Sequence, residues 1–220
     1  SEYRDTVDLI WFPTGGGKTE AYLGLIAFQI IYRRLTNNVS YRGTTVIMRY
    51  TLRLLTQQQF IRATKLICAL ELLRRKNEKE LQLEPITTGM WVGGSLTPNK
   101  YTDQYNEGAV EALDKSIGSN KAPHKLIITE CPWCGESLWE SASRHGYIKK
   151  PELKNIEYHC LNVKCDFYNH SLPINVIDEA IYRAPPTLLF ATVDKFAQMP
   201  WNGRTQMLFG QVDAYCPRHG

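Results

Sequence analysis

An α/β fold is predicted: a mostly parallel sheet with helices on its faces, carrying a small cysteine-rich module. Three observations lead there. Short β-branched or apolar runs alternate with long stretches of helical periodicity. A glycine-rich loop joins the first apolar run to the first helical stretch. Four of the six cysteines gather in one segment of altered composition. The 220 residues suffice for one α/β domain with a small appendage.

Composition excludes several classes. With 43% hydrophobic and 22% charged residues, the chain forms a core and is not disordered. Twenty-six Lys and Arg against 22 Asp and Glu leave +4, an excess too small to name a nucleic-acid partner by itself. The longest uncharged apolar stretch, Ala21 to Tyr32, has 12 residues and contains Gln29, short of the roughly 20 that span a bilayer. The start, Ser1-Glu2-Tyr3-Arg4-Asp5, is not the basic-then-apolar pattern of a signal peptide, and it lacks an initiator Met. The end, Cys216 to Gly220, brings no helix cap or closing element. A cytoplasmic fragment of a longer chain, with no membrane partner, is the expectation.

The elements follow in order. Val7 to Phe12 reads as a strand, Pro13 to Thr19 as a loop, and Glu20 to Phe28 as a helix broken only by Gly24. Thr44 to Tyr50 is β-branched and bounded by Gly43, a second strand. Leu52 to Lys79 repeats Leu55, Ile61, Leu66, Leu70 and Leu73 at helical spacing. Ile86 to Gly94 reads as a third strand running into a turn, and Glu107 to Ser116 as a short helix. Leu188 to Thr192 resumes the buried-strand pattern after Pro185-Pro186. The expected division is a motor-like part over 1–120, the cysteine module over 121–175, and a continuation of the first part over 176–220. In such sheets ligands sit at the carboxyl ends of the strands.

Thr14-Gly15-Gly16-Gly17-Lys18-Thr19 carries the clearest chemistry. A polyphosphate needs several backbone N–H groups converging on its oxygens, and side chains obstruct that approach. Consecutive glycines remove them, and the following helix adds its positive end. Lys18 then reaches the β- and γ-phosphates while the Thr19 hydroxyl ligates Mg²⁺. The nucleotide site is therefore expected at Thr14, Gly15, Gly16, Gly17, Lys18, Thr19 and Glu20, with ATP and Mg²⁺ as ligands. Phe12 stands where the strict G-x-x-x-x-G-K-[ST] pattern has its first Gly, a position that helicase-type loops relax.

Pro13 to Thr19 resembles motif I of superfamily 2 helicases. Thr51-Leu52-Arg53-Leu54-Leu55-Thr56-Gln57-Gln58 resembles motif Ia of that family, matching at Arg53, Leu55 and Gln58. Ala191-Thr192-Val193-Asp194-Lys195-Phe196 resembles motif Ib. More narrowly, these phrases and Trp91-Val92-Gly93-Gly94-Ser95-Leu96-Thr97-Pro98-Asn99 are similar to the large helicases of the DISARM anti-phage defence system, over residues 8 to 199. The resemblance implies a RecA-like fold and ATP-dependent translocation on a single DNA strand or duplex end. It implies Arg53, Thr192 and Lys195 as strand-gripping residues. It also implies a second RecA-like domain in the same full-length chain, and another defence-system subunit as partner. Gly93 and Gly94, followed by Ser95 and Thr97, could offer N–H and hydroxyl groups to a phosphate, although an ordinary turn explains the glycines about as well.

The basic charge is local. Residues 41–80 carry nine Lys and Arg against Glu71, Glu78 and Glu80, a net +6 that leaves −2 for the rest of the chain. This suits phosphate contacts, with a solvated helix face as the plainer reading of Arg74 to Glu80. A helicase ATPase also needs an Asp-Glu pair to position Mg²⁺ and activate water. Asp178-Glu179 is a candidate, but it precedes the motif Ib match and leaves no room for a helix before the next strand. The expectation is that the true pair lies beyond Gly220 and that the fragment alone is inactive. The alternative is a self-contained NTPase switch using Asp178 and Glu179.

Cys131-Pro132-Trp133-Cys134-Gly135 is a tight knuckle, and Cys160 and Cys165 form a second pair after a gap of 25 residues. Two such pairs fit tetrahedral Zn²⁺ held by Cys131, Cys134, Cys160 and Cys165, a structural site without an open position. A redox role for the first pair would leave the second unexplained. Trp133, Trp139 and Tyr147 could stack on bases or pack around the metal. A zinc-ribbon binding module with a non-catalytic phosphate loop is the further alternative.

Overall fold

The computed structural model describes residues 6–8, 17–36, 42–51, 57–105 and 107–211. Helix α1 covers Lys18–Thr36, strand β1 Val46–Tyr50, helix α2 Gln57–Lys76, helix α3 Glu78–Leu81 and strand β2 Thr88–Trp91. Helix α4 follows at Ala109–Ser119. Strands β3 Trp139–Ser141, β4 Arg144–His145, β5 Tyr147–Lys150, β6 Asn155–Tyr158 and β7 Ile174–Asn175 come next. The last elements are α5 Asp178–Arg183, β8 Leu188–Thr192, α6 Val193–Ala197 and α7 Thr205–Leu208.

The main sheet has the order β1-β8-β2-β7, and every pairing in it is parallel. Strand β8 is central, and its five residues are all buried, as a parallel strand covered on both faces requires. Its side chains alternate between two cores. Leu188 and Phe190 join Met48 and Met90 against Ile26 and Ile30 of α1 and Phe60 and Ile67 of α2. Leu189 and Ala191 join Ile47 and Trp91 against Ile181, Tyr182, Met199 and Leu208 on the other face. The expected mixed architecture, a mostly parallel sheet with helices on both faces, is present.

Several element boundaries differ from expectation. The helix expected over most of Leu52 to Lys79 is α2, Gln57–Lys76, and Asn77 caps the short α3 that follows it. Residues 178–183 do form a helix, α5, where none was expected to fit. The six residues fit because Pro185 and Pro186 serve only as the bridge to β8. Strand β7 is only two residues long, yet it pairs with β2, so the main sheet resumes before Asp178.

The run Arg74 to Glu80 is a solvated face only from Lys76 onward, where residues 76–80 are exposed. Arg74 is buried and grips Glu71 with two bonds, Nε to Oε2 at 2.8 Å and Nη2 to Oε1 at 2.9 Å. Arg75 adds a third at 2.8 Å, and the Ile86 N–H donates to Glu71 Oε2 at 2.8 Å. Burial alone would push Glu71 up, but the hydrogen bonds from Arg74, the Ile86 N–H and Arg75 hold it below the usual carboxylate range. Three of these bonds lie within α2, and the one from the Ile86 N–H fastens α2 to the segment that enters β2. Among the described residues, no helix is long and apolar enough to cross a membrane.

The cysteine-bearing segment is not set apart from this core. Hairpins β3-β4 and β5-β6 are antiparallel. Leu138, Tyr147, Ile156, Tyr158 and Phe167 belong to the same buried cluster as Phe60, Ile67 and Phe190. The Arg75 guanidinium carbon lies 5.4 Å from the centroid of the Phe167 ring, joining the cysteine loops to α2.

Candidate functional site

The end of the sheet where the strands finish carries a groove of about 220 Å³ lined by Gly93, Ser95, Thr192, Asp194, Lys195 and Gln198. Two segments that lie about a hundred residues apart in sequence meet there because β2 and β8 are parallel neighbours in register, Trp91 beside Ala191. The loop after β2 thereby faces the first turn of α6. Ser95 was expected there, whereas Asp194 and Gln198 were not singled out from the sequence. For Gln198 a signal existed, since it stands one helical turn beyond Lys195.

Each expected strand-gripping residue in the groove has a partner within the protein. Thr192 is buried, and its hydroxyl caps α6 by accepting from the Lys195 N–H at 3.4 Å. The Lys195 ammonium pairs with Asp178 Oδ2 and lies 5.6 Å from the centroid of the Trp91 ring. Burial pushes the Asp178 carboxyl up, and Lys195 and the Trp91 indole oppose this only in part. Gly93 faces open space, with Ser95 Oγ at 4.0 Å as the nearest atom a Cβ would meet. Gly94 is filled from outside by Asn99. Thr97 is corrected: it is fully buried, and its hydroxyl is not on the groove surface. Arg53 lies outside the described residues.

A consequence follows for the ion pair. Lys195→Met leaves a carboxylate buried without its cation, whereas Asp178→Asn leaves an ammonium on a flexible stem that can turn to water. Lys195→Met is expected to cost about 2 kcal/mol or more, and Asp178→Asn clearly less. Urea denaturation of both variants checks the order, and the reverse order would contradict it.

Lys18 and Thr19 are the first two residues of α1. Gly17 before them adopts φ +74°, a conformation that other residues enter at a cost, and no atom lies within 4 Å of where its Cβ would be. Among the described residues nothing fills the space beside Gly17, and the N–H groups of the first turn of α1 have no partner within the helix, an arrangement that suits a phosphate. Glu20 pairs with Arg62. This contact sets the first turn of α1 beside the early turns of α2, which departs from the carboxyl end of β1. Helix α1 therefore opens on the same end of the sheet as the groove. Thr14, Gly15 and Gly16 lie outside the described residues.

Asp178 and Glu179 do not act together. Asp178 turns to Lys195, while Glu179 accepts from Lys154 Nζ at 2.8 Å and from the Tyr101 N–H at 3.2 Å. Neighbouring positions on a helix point about 100° apart, so one ion held by both is disfavoured. Both carboxylates are engaged in holding α5 in place.

The four cysteines converge. Their Sγ atoms all lie within 4.8 Å of one another, with Cys131 to Cys165 at 3.9 Å and Cys134 to Cys160 at 3.4 Å. Four thiolates about 2.3 Å from a tetrahedral Zn²⁺ are about 3.8 Å apart, so this cluster could hold zinc with small adjustment. The knuckle depends on Gly135, at φ +82°, whose N–H donates to Cys131 O at 2.8 Å. The Asn162 N–H donates to Cys160 Sγ at 3.4 Å. Burial pushes Cys131 up to about 12, so without a metal this thiol keeps its proton. His159 contacts Glu157, not the sulfurs, at 3.2 Å.

The aromatic residues around the cluster are engaged in packing. The Trp133 indole donates to Asp166 at 2.9 Å and meets Phe167 edge to face. Trp139 stacks on His145, with ring centroids 5.3 Å apart. Tyr147 is buried and donates to Ile128 O at 2.7 Å. Cys216 and His219 lie outside the described residues.

No family model matches the chain. Among curated proteins, the DISARM protein DrmA of Bacillus paralicheniformis is 42% identical over 225 aligned residues, which take in 100% of this chain. The chain spans only 20% of that protein's length. It is therefore a relative of the DISARM protein DrmA, matched from end to end by a segment one-fifth as long as that protein.

Proposed function

We propose that the chain is the ATP-binding part of a superfamily 2 DNA helicase or translocase in a bacterial anti-phage defence system. Its main support is the groove on which the Gly93–Ser95 loop and the Thr192–Lys195 segment meet, at the sheet end where α1 begins. The relative's name supports the defence setting, and the motif resemblances support the motor.

Lys18, Thr19 and the glycines before them would hold ATP and its Mg²⁺, with Thr14 and Glu20 at either side. The triphosphate supplies a phosphoanhydride bond whose hydrolysis drives the motor. Gly15 to Gly17 would leave room for the phosphates, Lys18 would offset their charge, and the Thr19 hydroxyl would serve the cation. The motor domain would comprise 1–120 and 176–220 in a RecA-like fold, interrupted by the zinc-holding segment 121–175. A second RecA-like domain in the longer protein would supply the opposite wall of the nucleotide cleft, and another subunit of the system would join it. The water-activating carboxylates would come from outside this chain.

The groove would take the backbone of one DNA strand, with Arg53, Gly93, Gly94, Thr192 and Lys195 around it. Gln198→Glu tests this by adding a negative charge to the groove wall at an exposed position. Its affinity for a fluorescent single-stranded oligonucleotide is expected to fall about tenfold at low salt and less at high salt, since phosphate binding is ionic. An unchanged affinity would remove the groove from the DNA path.

A further inference from the structure

After α6 the chain makes a single 3-10 turn, Met199–Trp201, that displays a tryptophan in water. Trp201 is 89% exposed, although tryptophan is highly buried on average. The turn that carries it is not slack. Pro200 fixes φ inside it, and Met199 is buried with Trp91, Ile181 and Leu208. The Thr205 hydroxyl donates to the Met199 carbonyl at 2.7 Å, and the Asn202 side-chain amide donates to the Tyr182 hydroxyl at 2.9 Å. The backbone on both sides of Trp201 is thus fastened to the core while the indole stays outside.

Its place relative to the groove is set by the same turn. The Trp201 N–H donates to the Gln198 carbonyl at 3.1 Å. In a 3-10 turn residues three apart eclipse one another, about 6 Å along the axis. Gln198 lines the groove, so Trp201 stands one turn farther along the same face, just past the groove wall. Apart from Pro200, the residues next to it are polar, small or basic: Asn202, Gly203 and Arg204. Arg204 is exposed, and its guanidinium carbon lies 4.7 Å from the centroid of the Tyr182 ring, which brings positive charge beside the turn. Such neighbours are not the contiguous apolar patch of a protein-docking face. They suit a nucleotide.

We propose that Trp201 is a base-stacking site, which takes the nucleobase of a strand whose backbone passes through the groove. The proposal rests on the reading of the groove as the path of a nucleic-acid strand. Sites for single strands pair a groove that follows the backbone with aromatic side chains on which bases stack. The indole offers a large flat apolar face. Every base has a face to lay on it, so the site holds the strand without reading its sequence.

A cycle of two changes in the full-length protein tests this, with a fluorescent oligothymidylate and versions of it that carry one abasic site, moved position by position. Trp201→Ala is expected to weaken binding of the intact oligonucleotide about tenfold, as the loss of one stacked base does. The parent is expected to lose about tenfold when the abasic site falls at one position, and at that position Trp201→Ala loses nothing further. Trp201→Phe keeps most of the affinity. Equal abasic losses in parent and Trp201→Ala at every position would overturn the proposal, because the tryptophan would then act through a protein contact and not through a base. Unchanged affinity in Trp201→Ala beside weakened binding in Gln198→Glu would overturn it too, while leaving the groove on the strand path. No strand binding by the parent would remove both.

Discussion

Cys134→Ser, or removal of zinc by a strong chelator, is expected to unfold the whole chain in one transition and not the cysteine loops alone. Structural zinc contributes on the order of 10 kcal/mol in small domains, more than the entire stability of a typical fold. Two features would spread the loss. The buried side chains around the cysteines form one continuous cluster with those under the main sheet. Arg75, which lies over Phe167, also bonds Glu71, which holds the entry to β2. Denaturation followed by tryptophan fluorescence and by far-ultraviolet circular dichroism, with zinc content measured alongside, checks this. Loss of the Trp133 and Trp139 signals with the helices intact would make the module an independent appendage.

The second large effect is at Glu71. Its carboxylate is almost fully buried and receives two bonds from Arg74, one from Arg75 and one from a backbone N–H. Glu71→Ala takes from the buried Arg74 its two bonds to Glu71, leaving it only Glu78 and the Gln82 carbonyl, and takes from Arg75 its carboxylate, which costs about 3 kcal/mol. Because the folded-state pKa lies below the ordinary 4.5, the stabilisation is complete above that value and disappears as the pH falls through the lower, folded-state value. Urea midpoints measured from neutral pH down to about pH 3 are expected to fall more steeply in the parent than in Glu71→Ala. Parallel pH profiles would contradict the assignment.

The sequence was most legible where a pattern is repeated or chemically unusual. The run Leu188 to Thr192 read as a buried strand because both of its faces are covered, which leaves a continuous apolar signature. The paired cysteines announced their convergence because few other arrangements use that spacing. What could not be read depends on contacts between distant segments. Arg74 and Arg75 looked like surface charges, and only the placement of Glu71 and Ile86 around them shows that they are internal fastenings. Lys195 matched a strand-gripping position, but its Asp178 partner sits 17 residues earlier in a helix for which the sequence had seemed to leave no room. Thr97 looked available because it follows a glycine turn, and tertiary packing turned it inward.

The most direct test of the central claim is ATP hydrolysis by the full-length protein, with and without single-stranded DNA, beside a Lys18→Ala variant. DNA-stimulated turnover that falls by at least a hundredfold in Lys18→Ala is the expected result, because the lysine would bind the phosphates on which charge develops. Turnover that is indifferent to Lys18, or absent in the parent under every DNA condition, would contradict the reading of this chain as the ATP-binding part of a motor.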